Sequence, residues 1–67
     1  MEITVNGKLE TLSRPQVTIA DLLAARQLTG KRIAVECNGQ IVPKSQHSII
    51  ELCAGDRLEI VIAVGGG

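Results

Sequence analysis

The 67-residue chain contains no phenylalanine, tyrosine or tryptophan. Any core must therefore be aliphatic, which suits strands, because branched side chains pack well on a pleated surface. The same absence argues against single-stranded nucleic acid, whose binders stack bases on aromatic rings. Positive charge is not in excess either. Seven basic residues balance seven acidic ones, and the pI is near 6.5, so the basic patch that neutralises a phosphate backbone is missing. Long apolar runs are missing too. The longest, Ile60 to Val64, falls far short of the roughly 20 residues that span a bilayer. The start, Met1-Glu2-Ile3-Thr4, lacks the basic and apolar regions of an export signal. Cysteine is scarce: Cys37 and Cys53 are too few for a disulfide-stapled secreted scaffold. The expected location is a reducing cytoplasm, with neither membrane nor nucleic acid as a partner.

What is present is a compact apolar pattern, 45% of the residues. A chain this short buries only roughly 60% of the surface its unfolded form exposes, so one domain with a dense core is expected, spanning 1–64. Ile3 and Val5 alternate with Glu2 and Thr4, as in a half-buried strand. Asn6-Gly7 is a two-residue hairpin signal, since both positions tolerate positive φ, and a second strand should run from Lys8 to about Leu12. Pro15 marks a break. Thr18 is placed to cap a helix, with Asp21 favouring its positive end. Ile19, Leu22, Leu23 and Leu28 form its apolar stripe, Asp21 and Arg26 face water, and Gly30 is the expected stop.

Alternation returns at Arg32 to Cys37, with Ile33, Val35 and Cys37 inward and Ala34 and Glu36 outward. Asn38-Gly39 repeats the tight turn and leads into a short strand at Gln40 to Val42, which Pro43 ends. Lys44 to Ser48 reads as a loop or a single helical turn, Ile49 to Leu52 returns to the core, and Ala54-Gly55-Asp56 turns the chain. The last strand, Arg57 to Val64, is the most apolar and is expected to bury Leu58, Ile60 and Ile62. Its place is near the sheet centre, parallel to the first strand. A hairpin, one main helix and further strands in this order predict an α+β fold, a mixed four- to five-stranded sheet packed on the helix: the ubiquitin-like β-grasp.

Catalytic constellations are hard to find. Cys37 falls at an inward strand position, where a small apolar role is expected, and Cys53 sits beside a turn without a partnering base. Two cysteines and one histidine in this spacing make no metal site. His47 is expected to be a solvated loop residue. Gly30-Lys31 follows a helix and lacks the upstream glycine of a phosphate loop. Asp21, Glu36, Glu51, Asp56 and Glu59 fit a solvated face. Two features remain. Gly65-Gly66-Gly67 has no side chain to pack and is expected to be a flexible tail. It is either a frayed end or cloning remnant, or a slim extension that carries the Gly67 carboxylate about 10 Å beyond the fold into a narrow site. The outward positions Val61, Ala63 and Val64 either form a docking patch beside it or are covered by a loop or the helix.

Several segments, taken in order, resemble the ThiS family of sulfur carriers in thiamine biosynthesis. They are Asn6-Gly7, Ala34-Val35-Glu36-Cys37-Asn38, Ile41-Val42-Pro43, Gly55-Asp56, Glu59-Ile60 and the ending Val64-Gly65-Gly66-Gly67. The resemblance implies a protein co-substrate that is not itself an enzyme, monomeric when free and holding no cofactor. An E1-like adenylyltransferase of the ThiF type would spend ATP to convert the Gly67 carboxylate to an acyl-adenylate. A cysteine desulfurase system would supply sulfur, leaving a thiocarboxylate, and thiazole synthase of the ThiG type would accept it. Gly65 and Gly66 would enter the partners' active sites; Cys37 and Cys53 take no role from the family. The small subunit of molybdopterin synthase shares the fold and ending but is usually longer. A ubiquitin-like modifier joined to lysines, or a binding module with an incidental tail, are the other readings of the same features.

Overall fold

A computed structural model describes residues 1–14 and 16–63 of the chain. Five strands form one mixed sheet in the order β2-β1-β5-β3-β4. They are β1 (Glu2–Val5), β2 (Lys8–Thr11), β3 (Ile33–Cys37), β4 (Gln40–Val42) and β5 (Arg57–Ile62). Among the described residues one α-helix, α1 (Ile19–Ala25), lies between β2 and β3, and a single 3-10 turn, Lys44–Gln46, follows β4, where a loop or helical turn is expected. β1 pairs antiparallel with β2 and parallel with β5, while β3 pairs antiparallel with both β4 and β5. The last strand thus occupies the centre, parallel to the first, as its apolar sequence predicts. This is the α+β β-grasp architecture.

Both hairpins turn on Asn-Gly. Asn6 and Gly7 have φ of 51° and 83°, and Asn38 and Gly39 repeat this at 54° and 86°. Positive φ at both central residues gives a turn whose twist matches that of the strands it joins. The hydrophobic core cluster is aliphatic, built on Ile3, Val5, Val35, Leu58 and Ile60 of the sheet and Ile19, Leu22 and Leu23 of the helix.

The N-terminus of α1 has all its early amides engaged. Ile19 N–H donates to the Ile50 carbonyl at 3.1 Å and Ala20 N–H to the His47 carbonyl at 2.8 Å. Asp21 N–H donates to the Thr18 hydroxyl at 3.1 Å, and Thr18 N–H to the Asp21 carboxylate at 3.0 Å, a reciprocal capping box. The segment from His47 to Leu52 therefore holds the helix as well as filling the core. Ile50 and Leu52 face inward, but Ile49, expected inward, is exposed.

The helix ends earlier than Gly30. It stops at Ala25, and Gln27 adopts the left-handed conformation at φ 60°. Leu28 N–H donates to the Leu23 carbonyl at 2.9 Å and Gln27 N–H to the Ala24 carbonyl at 3.0 Å. These are the two bonds of a Schellman cap. Leu28 is therefore a capping residue beyond the helix, folded back against the core near Leu23.

Candidate functional site at the end of the central strand

β5 is held in place by more than its ladders. Its register with β1 covers only Thr4↔Arg57 and Val5↔Leu58. Beyond that point the Asn6 side chain takes over. Ile60 N–H donates to Asn6 Oδ1 at 2.7 Å, and Asn6 Nδ2 donates to the Ile60 carbonyl at 3.2 Å. The amide thus stands in for the next residue of β1. Asn38 does the equivalent at the other end. Arg57 N–H donates to Asn38 Oδ1 at 2.9 Å, and Asn38 Nδ2 donates to the Asp56 carboxylate at 3.0 Å. Asp56 in turn accepts from Cys53 N–H at 2.8 Å. Both turn asparagines therefore clamp the central strand. Sequence reading assigns them to turns alone, although two Asn-Gly pairs, where Gly-rich turns would serve equally, were a usable signal.

Past Ile60 the strand loses cover. Ile62 pairs with Ile33, beyond the reach of β1 and beyond β4, which ends at Val42 opposite Val35. The expectation that Ile62 is buried is therefore wrong: it is 47% exposed. Val61 is 59% exposed and Ala63 is also exposed, so among the described residues no loop or helix covers these two members of the expected patch. Ala63 N–H donates to the Arg32 carbonyl at 2.8 Å, anchoring the strand's exit to β3. Val64, Gly65, Gly66 and Gly67 lie outside the described residues.

A cleft of about 600 Å³ opens beside this exit, and its lining includes Leu23, Leu28, Ile33, Val61 and Ala63. His47 lines it, and here the structure corrects the sequence: the ring is 7% exposed, not solvated. Its Nε2 lies 3.2 Å from the Val42 carbonyl, which explains how a polar ring is tolerated inside. The cysteines are free. Cys37 is half-buried and Cys53 exposed. Burial, then the negative charge of Asp56, pushes the Cys37 thiol up, the opposite of what an activated nucleophile needs. Among the described residues no group of three His, Cys, Asp or Glu side chains could hold a metal, and no helix is long and apolar enough to cross a membrane.

Comparison with known proteins decides the family. Residues 2–67 match the ThiS family. The chain belongs to the ThiS family. It is 43% identical over 65 residues to the sulfur carrier protein ThiS of Bacillus subtilis, covering 97% of this chain and 98% of that one. It is also 37% identical over 67 residues to part of a thiazole synthase of Paramagnetospirillum magneticum; the match takes in all of this chain but 20% of that protein. The crystal structure of the thiamine biosynthesis protein ThiS from Geobacter metallireducens superposes with a TM-score of 0.85 at 29% identity, covering both chains completely. A solution structure of a thiamine biosynthesis protein from the same organism gives a TM-score of 0.83, covering all of this chain and 88% of that one. These two solved structures share the fold described above.

Proposed function

We propose that this chain is a sulfur carrier protein of thiamine biosynthesis and that the carried sulfur is held at the carboxylate of Gly67. The observation that carries this reading is the family match over residues 2–67, together with near-complete coverage of a relative that is a sulfur carrier. The chemistry follows from the group itself. A carboxylate is a poor electrophile, so it must first attack the α-phosphorus of ATP and release pyrophosphate. The resulting acyl-adenylate has AMP as a good leaving group. Sulfur from a cysteine persulfide displaces AMP, and cleavage of the acyl disulfide by a thiol leaves the thiocarboxylate.

Each catalytic step belongs to a partner: an E1-like adenylyltransferase, a cysteine desulfurase system, and thiazole synthase as acceptor. The carrier-like stretch inside a protein that is a thiazole synthase supports that acceptor. In this reading Gly65 and Gly66 contribute reach and the absence of any Cβ. Val61, exposed on β5, and Ala63, exposed just past its end, contribute contact area with Val64 beside the partner's entrance. The clamps on Ile60 and Arg57 fix the strand from which this presentation starts.

The test is an intact mass. Incubated with ATP, the cognate adenylyltransferase and a sulfur source, the protein should gain the mass of one oxygen exchanged for sulfur, located at Gly67 by fragmentation. Absence of the gain rejects the carrier reading. Lysine-linked conjugates that vanish on deleting Gly66 and Gly67 would point instead to a protein modifier. Rescue of a deletion strain by the thiazole precursor separates the thiazole role from a molybdopterin one.

A further inference from the structure

The cleft beside Ala63 has a composition that carrying sulfur on Gly67 does not require. Three branched apolar side chains line it: Leu23, Leu28 and Ile33. Its lining also carries three cations, Lys31, Arg32 and Lys44, all exposed, and no carboxylate among the described residues. The ion pair formed among the described residues, Arg26 with Glu10, lies elsewhere. Three cations around one apolar opening repel each other and gain from a negative partner.

The backbone adds a third feature. Ala63 N–H donates to Arg32, which fixes the alternation of the β3–β5 ladder. Ala34 then turns its backbone groups to β5, and Ile33 turns its N–H and C=O the other way, toward the β4 side. There β4 has already ended, at Val42 opposite Val35. The strand edge at Ile33 is therefore open where the cleft lies, and such an edge accepts an extended chain.

We propose that this cleft docks an extended acidic segment of a partner protein. An apolar side chain of the segment sits on Leu23, Leu28 and Ile33, flanking carboxylates meet Lys31, Arg32 and Lys44, and one backbone N–H and C=O pair with Ile33. For the identity of the partner, the adenylyltransferase, the inference rests on the carrier reading; the recognition chemistry does not.

The probe is a capped pentapeptide, Asp-Glu-Leu-Glu-Asp, titrated into the isotope-labelled full chain and followed by amide chemical shifts. Saturable shifts centred on Ile33, Ala34 and Lys44, with a Kd of order 1 mM, are expected. The double variant Lys31→Glu/Lys44→Glu should bind at least about tenfold more weakly, because attraction becomes repulsion. Both lysines are exposed, and unchanged shifts elsewhere confirm that the variant folds. No shifts, equal shifts with a Lys-Lys-Leu-Lys-Lys peptide, equal shifts with inorganic phosphate alone, or undiminished binding by the variant would each overturn the proposal. The thiocarboxylate assay on the same protein reads the carrier function separately. A thiocarboxylate without peptide binding sinks the docking inference alone, and peptide binding without a thiocarboxylate sinks the carrier reading alone.

Discussion

Replacing Asn6 by glycine isolates what its side chain does for the central strand. Glycine keeps the positive φ of 51° that the turn requires, so the hairpin geometry survives and only the clamp is lost. Two hydrogen bonds go, from Ile60 N–H to Oδ1 and from Nδ2 to the Ile60 carbonyl. Each is worth about 1 kcal/mol net, and the partly buried Ile60 groups regain water incompletely, so the loss should be about 2 kcal/mol. At this chain length that corresponds to a fall in Tm of about 8–16 °C. Asn6→Ala should cost about 1 kcal/mol more, since alanine pays for the left-handed backbone. Asn38→Gly should cost less, about 1 kcal/mol, because its bonds to Arg57 and Asp56 are exposed to solvent. Without aromatic residues, unfolding must be followed by far-UV circular dichroism in urea and on heating. Amide exchange supplies a local readout: Ile60 N–H should lose protection beyond the global change. A Tm for Asn6→Gly within about 2 °C of wild type would refute the clamp as a source of stability.

Three further outcomes follow from particular residues. Asp21 has its carboxyl held below the ordinary aspartate range, chiefly by the Thr18 N–H and then by the Thr18 hydroxyl. Its contribution is present above the unfolded value of about 3.9 and fades as pH falls through the lowered folded value. Asp21→Asn should therefore be less stable than wild type at neutral pH, and the gap should close in acid, measured by urea midpoints across pH. Glu36 and Glu59 stand directly opposite each other on the outer face of β3 and β5. Like charges so placed repel, so Glu59→Lys should raise stability by about 0.5–1 kcal/mol, read as a higher urea midpoint. Cys53 is exposed, whereas Cys37 is half-buried with its thiol pushed up. Iodoacetamide at neutral pH should label Cys53 first, by peptide mass spectrometry; equal rates would contradict the described burial.

How much was legible in the sequence depends on which interactions set each feature. The strands and both hairpins were legible because period-2 alternation and Asn-Gly turns are local signals, and the structure places Ile3, Val5, Val35, Leu58 and Ile60 in the core as the alternation predicts. The central place of β5 followed from its apolarity. The helix end was not legible, because a glutamine in the left-handed conformation carries no compositional mark. The spacing of Leu23 and Leu28, five apart, is the signature of the Schellman cap that Gln27 makes. His47 was misjudged because its local sequence is polar, while its burial is tertiary, resting on the Val42 carbonyl. Ile62 was misjudged because strand periodicity says which face a residue takes but not where the neighbouring strands end.

The same distinction bears on where function sits. The candidate docking elements Val61, Ala63 and the cleft beneath Ile33 all exist because β5 and β3 run past their neighbours, β1 and β4. If β4 were longer by two residues it would pair with Ile33, and if β1 were longer by four it would pair with Ile62, and the sheet would lose its open end. A partner would then meet closed edges. The clamp by Asn6 makes the short β1 tolerable, since it satisfies Ile60 without continuing the strand. Stability and exposure are thus reconciled at one residue. Extending the ladder instead, by grafting a longer first hairpin, should raise Tm, read by circular dichroism, and protect the Ile62 amide from exchange; an unprotected Ile62 amide would refute the idea that the short β1 leaves this end open.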